Sequence, residues 1–300
     1  MSLLPERLNL AIARRCDVAC IGCYTLFGRS EPELASFVST TRVFARIGVS
    51  NVTVSGGDPL TVAGLLDFLG DLRSVGARSI KLDTVGVGLV PRHPEIGLSS
   101  LLERTDYIGI PLDGWSDQSA LRFRRGRRRL YTETLALLEA IDKLGGRPKI
   151  IINTVAHRDS VGHLNLVLEE LIRHSCICHW NIFQYTPTDQ AIDSANERYF
   201  VDDSTFEKCR LSFLDRMKSV GWSTATFPIE FRSNRSRLGQ YLLVNSDGEA
   251  WLPDEAGHTI RLSTIFGREL EVLSTWRQSV AALRSRSTCA PRHVMGLQNR

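Results

Sequence analysis

The first three cysteines of the chain, Cys16, Cys20 and Cys23, have the spacing C-x3-C-x2-C. Three thiolates are one ligand too few for a structural zinc site or a fully ligated iron–sulfur cube. They can hold three irons of a [4Fe–4S] cluster and leave the fourth iron open to a small molecule. Two other interpretations stay open at this point: buried apolar thiols, and a zinc site completed by a His or Cys from elsewhere.

A double glycine and an acid form a second motif, Gly56, Gly57 and Asp58, followed by proline. The β-branched residues of 51–55 predict a strand before it, and apolar periodicity predicts a helix over about 61–75 after it. Glycines let a backbone approach a ligand closely, so that its N–H and C=O groups can bond the ligand. The strand, glycines, acid and helix together indicate a ligand-binding turn.

Together the two motifs resemble those of the radical S-adenosylmethionine (SAM) superfamily, whose second motif is Gly-Gly-Glu-Pro where this chain has Asp58. The resemblance implies that the three cysteines ligate a [4Fe–4S] cluster and that the amino and carboxylate groups of SAM chelate its open iron. It also implies that Gly56, Gly57 and Asp58 hold the methionyl end of SAM. In that family one electron from the cluster cleaves SAM to a 5′-deoxyadenosyl radical, which takes hydrogen from an unactivated carbon.

Length and composition fit a single soluble enzyme. The 300 residues, 43% of them hydrophobic, suffice for one α/β core. With no apolar stretch of about 18 residues and no signal segment, we expect a cytoplasmic protein without a membrane partner. The seven cysteines are expected to be thiols and metal ligands rather than disulfides. The net charge of +4 permits an anionic partner without requiring one.

Strand and helix patterns alternate along the chain, which is typical of a parallel sheet. Six strands are predicted, at residues 7–13, 51–55, 79–84, 107–112, 149–155 and 180–185. Six units are fewer than the eight of a closed TIM barrel, and the resemblance implies a partial (β/α)6 TIM-like barrel. We therefore predict an α/β fold with this barrel over 1–222 and a C-terminal cap and tail over 223–300 in the same globular unit. A β-hairpin with an Asp-Gly turn at 238–253 is the predicted cap.

Polar residues follow or interrupt several predicted strands near their carboxyl ends, where α/β barrels carry their functional groups. The resemblance implies contacts with SAM or substrate for these positions. Turns or helix caps are alternative roles for the two aspartates, whereas an asparagine in an apolar strand needs a hydrogen-bond partner. The polar candidates are Asp83, Asp113, Asn153 and Gln184, and the aromatic Phe183 on the same strand as Gln184 is a further candidate, because that strand resembles the adenine-side strand of the family.

One position departs from the pattern of the family. The residue before the third cluster cysteine is often aromatic there and packs near adenine, whereas this chain has Gly22. We expect Tyr24, on the other side of Cys23, to take that place.

A run of six arginines lies within residues 122–129, on the expected active-site side of the fourth strand. Such a run could clamp a phosphate or nucleotide, although blocks of like charge are more often solvated loops. A nucleic-acid partner is not expected, because the basic residues are not interleaved with stacking aromatics over a long surface.

Four further cysteines have two functional interpretations. They could ligate an auxiliary cluster, although we expect a single cluster, or at most one of them could return a hydrogen atom to a substrate radical through its weak S–H bond. Each taken singly is by default a small buried hydrophobe. These cysteines are Cys176, Cys178, Cys209 and Cys289.

Acidic residues near the predicted cap are candidate substrate contacts. Glu249, Trp251 and Asp254 lie on or just after the hairpin, and Glu230 lies on a strand predicted at 227–231. Acids at these places would suit a substrate with amines or hydroxyls.

The size of the chain and its short cap resemble the radical SAM enzymes of antibiotic biosynthesis, in particular the aminoglycoside epimerase and dehydrogenase group typified by neomycin C epimerase. The resemblance implies hydrogen abstraction from a sugar or cyclitol carbon of a small polar substrate, with epimerisation favoured over dehydrogenation. An epimerase needs a hydrogen donor, normally Cys, where the hairpin has Glu249 and Ala250. A one-electron donor such as flavodoxin or ferredoxin is the implied protein partner.

Two alternatives to that function stay open. One is a viperin-like enzyme that modifies a nucleotide, which the strand at 180–187 also resembles. The other belongs to a different class: a non-catalytic iron–sulfur protein that senses redox state. A sensor has no need of a SAM site, so the Gly-Gly-Asp-Pro motif favours an enzyme.

Overall fold

The computed structural model describes residues 3–25, 28, 30–31, 33–86, 89, 97–147, 149–189, 193–219 and 226–288. Cys289 and the boundary predicted at residue 222 lie outside these residues. The described strands are β1 (Arg7–Ala13), β2 (Ala19–Cys20), β3 (Asn51–Gly56), β4 (Ser79–Asp83), β5 (Tyr107–Pro111), β6 (Arg124–Arg125), β7 (Ile150–Ala156), β8 (Ile177–Gln184), β9 (Ile229–Arg232), β10 (Tyr241–Val244), β11 (Glu249–Pro253) and β12 (Thr259–Thr264).

The described helices cover the outside of the sheet. They are α1 (Leu34–Arg46), α2 (Leu65–Ser74), α3 (Leu98–Arg104), α4 (Asp117–Phe123), α5 (Leu130–Leu144), α6 (Leu164–Leu171), α7 (Asp193–Tyr199), α8 (Asp203–Ser219) and α9 (Glu269–Thr288). Among the parts of the chain that are described, no helix has the length and apolar character needed to cross a membrane.

One ten-stranded sheet runs in the order β12-β11-β10-β1-β3-β4-β5-β7-β8-β9, and its strands from β10 to β9 are parallel. The six predicted strands are β1, β3, β4, β5, β7 and β8, so the predicted α/β class is confirmed. The count needs a correction, because β9 and β10 extend the parallel sheet on its two sides. Each has only four residues, too few to show a clear periodicity.

The predicted hairpin is present as β10 and β11, which pair antiparallel, and β12 adds a third strand. It is not a separate cap, since β10 also pairs in parallel with β1. Arg232 on β9 donates a hydrogen bond of 2.8 Å to the Tyr241 hydroxyl on β10, although six strands of the parallel sheet lie between β9 and β10. The sheet must curve strongly to bring these two strands together. Side chains thus join β9 and β10 across the barrel.

The two faces of the strands differ in polarity. On β1, Leu8, Leu10 and Ile12 are fully buried in the main hydrophobic core, whereas the alternate residues Arg7 and Asn9 make polar contacts with side chains of β3. Buried parallel strands are usually apolar on both faces. The polar inner face therefore marks the interior of the barrel as a place for a polar ligand.

Candidate functional site

The three cluster cysteines lie on the loop between β1 and α1, which we call the cluster loop (residues 14–25). All three are free and half-buried. Backbone hydrogen bonds hold the base of the loop, from Gly57 N–H to the Ala13 carbonyl (2.7 Å) and from Asp58 N–H to the Arg15 carbonyl (2.6 Å). The loop is thereby fixed to the carboxyl end of β3, as the sequence predicts for an active-site edge.

The far side of the cluster loop is held by a second, two-stranded sheet. β2 pairs antiparallel with β6, so that Cys20 is opposite Arg124 and Ala19 is opposite Arg125. Arg124 donates to the Cys20 thiol (3.0 Å) and forms an ion pair with the buried carboxylate of Asp113. Arg124, within the arginine run, is thus part of the site.

The thiols differ in their surroundings. Burial raises the pKa of Cys16 to about 12, against a stabilising backbone hydrogen bond at Val18. Burial also raises the pKa of Cys20, and Arg124 opposes that rise. Iron-bound cysteine is a thiolate, so binding of a cluster must release these protons.

Three thiols on one anchored loop suit three irons of one cluster. Within the described ranges, no three His, Cys, Asp or Glu side chains are gathered closely enough to hold a single metal ion. A preformed one-ion zinc site, which the sequence left open, is therefore not present among those residues.

The Gly-Gly-Asp turn is shaped by its contact with the cluster loop. A Cβ at Gly57 would overlap the Arg15 carbonyl, and one at Gly56 would meet backbone atoms of Ala13. Gly56 also has φ +130°, a conformation that side chains disfavour. The neighbouring backbone thus requires both glycines by itself, and their contact with SAM stays a prediction.

The Asp58 carboxylate accepts three hydrogen bonds from other groups of the protein. It accepts hydrogen bonds from the Thr84 hydroxyl (2.6 Å), the Leu60 N–H (3.1 Å) and the Val85 N–H (3.2 Å). Burial raises its pKa even so. The carboxylate therefore ties the turn after β3 to the segment after β4, and a direct bond from it to SAM stays a prediction.

Asp83 and Asn153 are brought together inside the barrel, as expected for candidate ligands. The Asn153 amide donates to Asp83 (3.3 Å), and Lys81 forms an ion pair with the same carboxylate (2.8 Å). Gly109 on β5 leaves room for the pair, because a Cβ there would overlap the Asp83 carboxylate.

A second polar group lies beside the first. Asn181 donates to Asn153 (3.1 Å) and accepts from Arg232 (3.0 Å), which also bonds Glu230 (2.6 Å). The His179 ring approaches Glu230 at 3.5 Å, and burial lowers its pKa. The sheet thus contributes one connected network to the interior.

Arg7, Lys81, His179, Asn181 and Arg232 were missed by sequence reasoning. Their signal was present: polar residues alternate with apolar ones in β1, β4, β8 and β9. That period of two normally indicates a solvent face, and here it indicates the interior of the barrel.

Asp113 does not face this interior network. Its carboxylate is fully buried, accepts from the Val155 N–H (2.6 Å) and pairs with Arg124. The position after the fourth predicted strand is as expected, but the side chain serves the cluster loop and the end of β7. A direct contact of Asp113 with SAM or substrate would require that pair to open.

Phe183 and Gln184 point in opposite directions, as neighbours on a strand do. The Phe183 ring lies under two guanidinium groups, at 5.3 Å from Arg237 and 6.0 Å from Arg232. Gln184 is buried and bonds Val201 and Asp203. The structure thus leaves Phe183 at the interior and uses Gln184 to attach the segment around α8.

Tyr24 and Gly22 also lie on opposite sides of the cluster loop. Tyr24 is 47% exposed, shares a hydrogen bond with Asn9 and lines a small pocket with Ser55 and Trp251. A Cβ at Gly22 would overlap the ring of Tyr185, which follows β8. The buried ring of Tyr185 thus fills the space beside Gly22, and a place for Tyr24 near adenine stays a prediction.

The candidate hydrogen-donor cysteines are not gathered at the cluster loop. Cys176 and Cys178 lie at the amino end of β8 and contact carbonyls of Leu138 and Ile150. Cys209 lies on α8 and donates to a carbonyl on the outer side (2.8 Å to Val161). At ~3.3 Å per residue, about 20 Å of strand separates Cys178 from the carboxyl end of β8.

The three candidate acids form ion pairs or accept backbone hydrogen bonds, and the fourth candidate, Trp251, is buried. Glu249 pairs with Arg261, and Glu230 pairs with Arg232. Asp254 accepts from the backbone of the turn that follows it and pairs with His258 (3.0 Å). Trp251 is buried against Leu243. Of these four, Glu230 is the one connected to the interior network.

The sequence model of the radical SAM superfamily matches residues 10–169. A probable GTP 3′,8-cyclase from Methanothermobacter thermautotrophicus is 26% identical over 217 residues, which is 71% of this chain and 68% of that protein. The PqqA peptide cyclase of Rhizobium meliloti is 30% identical over 178 residues, 57% of this chain and 45% of that protein.

Solved structures share the fold. SuiB of Streptococcus suis bound to S-adenosylmethionine superposes with a TM-score of 0.65 at 13% identity, over 83% of this chain and 60% of that chain. The enzyme anSMEcpe with bound AdoMet and a peptide gives a TM-score of 0.61 at 14% identity, over 89% of this chain and 80% of that chain. The two relatives found by sequence are named cyclases rather than aminoglycoside epimerases, so the comparisons support the family and not the substrate first predicted.

Proposed function

The chain belongs to the radical SAM superfamily, and from that premise we propose that it abstracts hydrogen from a sugar carbon of a small, polar, anion-bearing substrate held in the barrel interior. The cofactors of this family are a [4Fe–4S] cluster and SAM. When bound, they supply a 5′-deoxyadenosyl radical after transfer of one electron. Cys16, Cys20 and Cys23 would hold three irons.

The turn of Gly56 and Gly57 would present its remaining backbone groups to the methionyl end of SAM. In this proposal Asp58 positions the turn, because its carboxylate already accepts three hydrogen bonds from the protein. The aromatic ring of Tyr185 packs against the cluster loop at Gly22.

The class of substrate is inferred from the charge of the barrel interior. Four basic side chains share this space with two acids, Asp83 and Glu230; the bases are Arg7, Lys81, Arg232 and Arg237. Both acids are already paired with a base. A polycationic aminoglycoside would meet excess positive charge, whereas an anionic group would find unneutralised cations.

A nucleotide satisfies these requirements, since it joins a sugar to an anionic chain. The relatives named GTP 3′,8-cyclase act, by that name, on a nucleotide. The amides of Asn153 and Asn181 suit sugar hydroxyls. We therefore favour a nucleotide-like substrate over the aminoglycoside first predicted.

The positions of the described cysteines bear on the outcome of the reaction. Epimerisation needs a hydrogen donor on the opposite face of the radical, and the three candidate donors within the described residues, Cys176, Cys178 and Cys209, lie away from the cluster loop. We propose an outcome that needs no cysteine donor, either ring closure or oxidation, and place epimerisation second.

Anaerobic reconstitution with iron, sulfide, SAM and a reductant tests the proposal. We expect 5′-deoxyadenosine formation that GTP or another nucleotide stimulates and that neomycin C and a short peptide do not. Stimulation by the aminoglycoside alone, with one deuterium gained from D2O at an inverted carbon, would restore the epimerase hypothesis. A cluster without any SAM cleavage would favour the redox sensor.

Two sets of variants accompany that test. Replacing all three cluster cysteines with Ala should abolish SAM cleavage. Arg232→Gln should raise the KM for the nucleotide about tenfold and leave unstimulated cleavage unchanged. Arg261→Gln is the matched control, because its guanidinium pairs with Glu249 outside the interior network.

A further inference from the structure

The arginine run divides into an inner and an outer set. Arg124 points inward to Cys20 and Asp113, and Arg127 pairs with Glu133. The remaining four, Arg122, Arg125, Arg128 and Arg129, are exposed. Since neighbouring side chains on a strand point to opposite faces, Arg125 projects away from the barrel on the outside of the cluster loop.

We propose that these four exposed arginines, the outer arginines, form the docking surface for an acidic one-electron donor protein. The β2–β6 pairing places Arg125 opposite Ala19, next to the cluster cysteine Cys20. A donor bound there would lie beside the cluster without blocking the barrel interior. The transfer is one electron: the donor cofactor is oxidised by one, the cluster is reduced by one, and no atom moves between the proteins.

Charge complementarity identifies this partner. A concentrated positive surface attracts acidic proteins and accelerates their association at low ionic strength. The alternative of a phosphate clamp for the substrate is less favoured, because the interior has its own basic side chains, whereas Arg125 lies on the strand that pairs with β2 of the cluster loop. That alternative is an outcome of the test.

Steady-state SAM cleavage driven by a reduced flavodoxin of strongly negative net charge tests the docking surface. The triple variant Arg125→Gln, Arg128→Gln, Arg129→Gln should raise the KM for flavodoxin at least tenfold at low salt and flatten its salt dependence. Dithionite, which needs no docking, should drive cleavage at the wild-type rate.

The matched control is Arg42→Gln, Arg46→Gln, Arg216→Gln, which removes three exposed arginines from α1 and α8. An unchanged flavodoxin KM in the first variant, or an equal rise in the control, would overturn the proposal. So would a rise confined to the substrate KM with dithionite. A wild-type enzyme that cleaves SAM without any nucleotide response leaves this test intact, so the two proposals fail separately.

A different observation carries a second inference, which concerns the inner arginine. Arg124 donates to Cys20 at 3.0 Å while its other edge is fixed by Asp113, whose carboxylate is fully buried and held by the Val155 N–H. From this geometry we infer that Arg124 is a positioning residue that raises the reduction potential of the cluster. A fixed cation and N–H donor beside a thiolate stabilise the reduced state, which carries one more electron.

Redox titration followed by electron paramagnetic resonance tests this role. Arg124→Gln alone leaves the Asp113 carboxylate unpaired and endangers folding. The double variant Asp113→Asn, Arg124→Gln removes both charges together. At a fixed potential we expect it to have at least a tenfold lower ratio of reduced to oxidised cluster, a shift of about 59 mV.

Arg124→Lys should give a smaller shift, since lysine keeps the charge without the planar fork that reaches both partners. Arg125→Gln, one residue along the same strand, should not shift the potential. An unchanged potential in the double variant with full iron content would disprove the role of Arg124, and an equal shift in Arg125→Gln would show a general charge effect instead.

Discussion

The edge of the barrel and its interior are built in different ways. At the edge, backbone groups hold the cluster loop: Gly57 and Asp58 donate to carbonyls of Ala13 and Arg15. In the interior, side chains from four strands hold one another, from Lys81 and Asp83 through Asn181 to Arg232. Changes at the edge should therefore affect the cofactors, and changes in the interior should affect the substrate.

The largest effect should come from Gly57→Val. Its side chain would overlap the Arg15 carbonyl and push the base of the cluster loop away. We expect nearly complete loss of cluster iron, measured by iron analysis and visible absorbance after reconstitution. This differs from a pure steric block of SAM, which would leave iron content unchanged. Gly162→Ala, where a Cβ meets open space, should load normally.

The second effect is a pH dependence of stability caused by His157, which lies just after β7 at the edge of the barrel. Burial lowers its pKa to about 4, and its ring stacks on Phe123. Between about pH 6.5 and 4 the unfolded chain binds a proton that the folded chain does not, so stability falls as the pH falls through this window. His157 thereby contributes at most about 3 kcal/mol to the free energy of unfolding.

Denaturant unfolding of the apoprotein at several pH values measures that contribution. His157→Phe keeps a stacking ring and removes the titrating group, so its stability should fall less steeply between pH 6.5 and 4. Parallel pH profiles for the two proteins would show that His157 does not contribute.

A smaller and more selective effect is expected from Gly109→Ala in the interior. The added methyl group would displace the Asp83 carboxylate from its place beside Asn153 and Lys81. Substrate-stimulated SAM cleavage should lose about tenfold in kcat/KM, while iron content and unstimulated cleavage stay at wild-type values. Loss of iron in this variant would show that changes in the interior also affect the cofactors, contrary to the proposed difference between edge and interior.

The smallest effect should come from Glu249→Gln. The carboxylate pairs with Arg261 at a partly exposed position, and such pairs contribute about 0.2–1 kcal/mol. We expect unchanged substrate kinetics and a stability change within that range, measured by denaturant unfolding. A large rise in substrate KM would return Glu249 to the site, as first predicted from its place on the hairpin.

The same contrast explains what the sequence could predict. The parallel strands β1 and β3 and the cluster cysteines carry local signals, namely apolar runs and close spacing. The interior network does not, because Lys81, Asn181 and Arg232 are far apart in sequence and meet only through the order and register of the paired strands. Asp58 and Asp113 were located correctly at strand ends, but their bonds to Thr84 and Arg124 depend on the folded chain and have no signal in the local sequence.

The backbone anchors of the cluster loop have a consequence for maturation. Bonds from Gly57 to Ala13 and from Asp58 to Arg15 involve no thiol, so the barrel can shape the loop before iron arrives. In zinc fingers, by contrast, the free energy of metal binding is spent on folding. Here the free energy of cluster binding is not needed to fold the loop. A chelator should therefore remove the iron and leave a folded apoprotein that binds a new cluster.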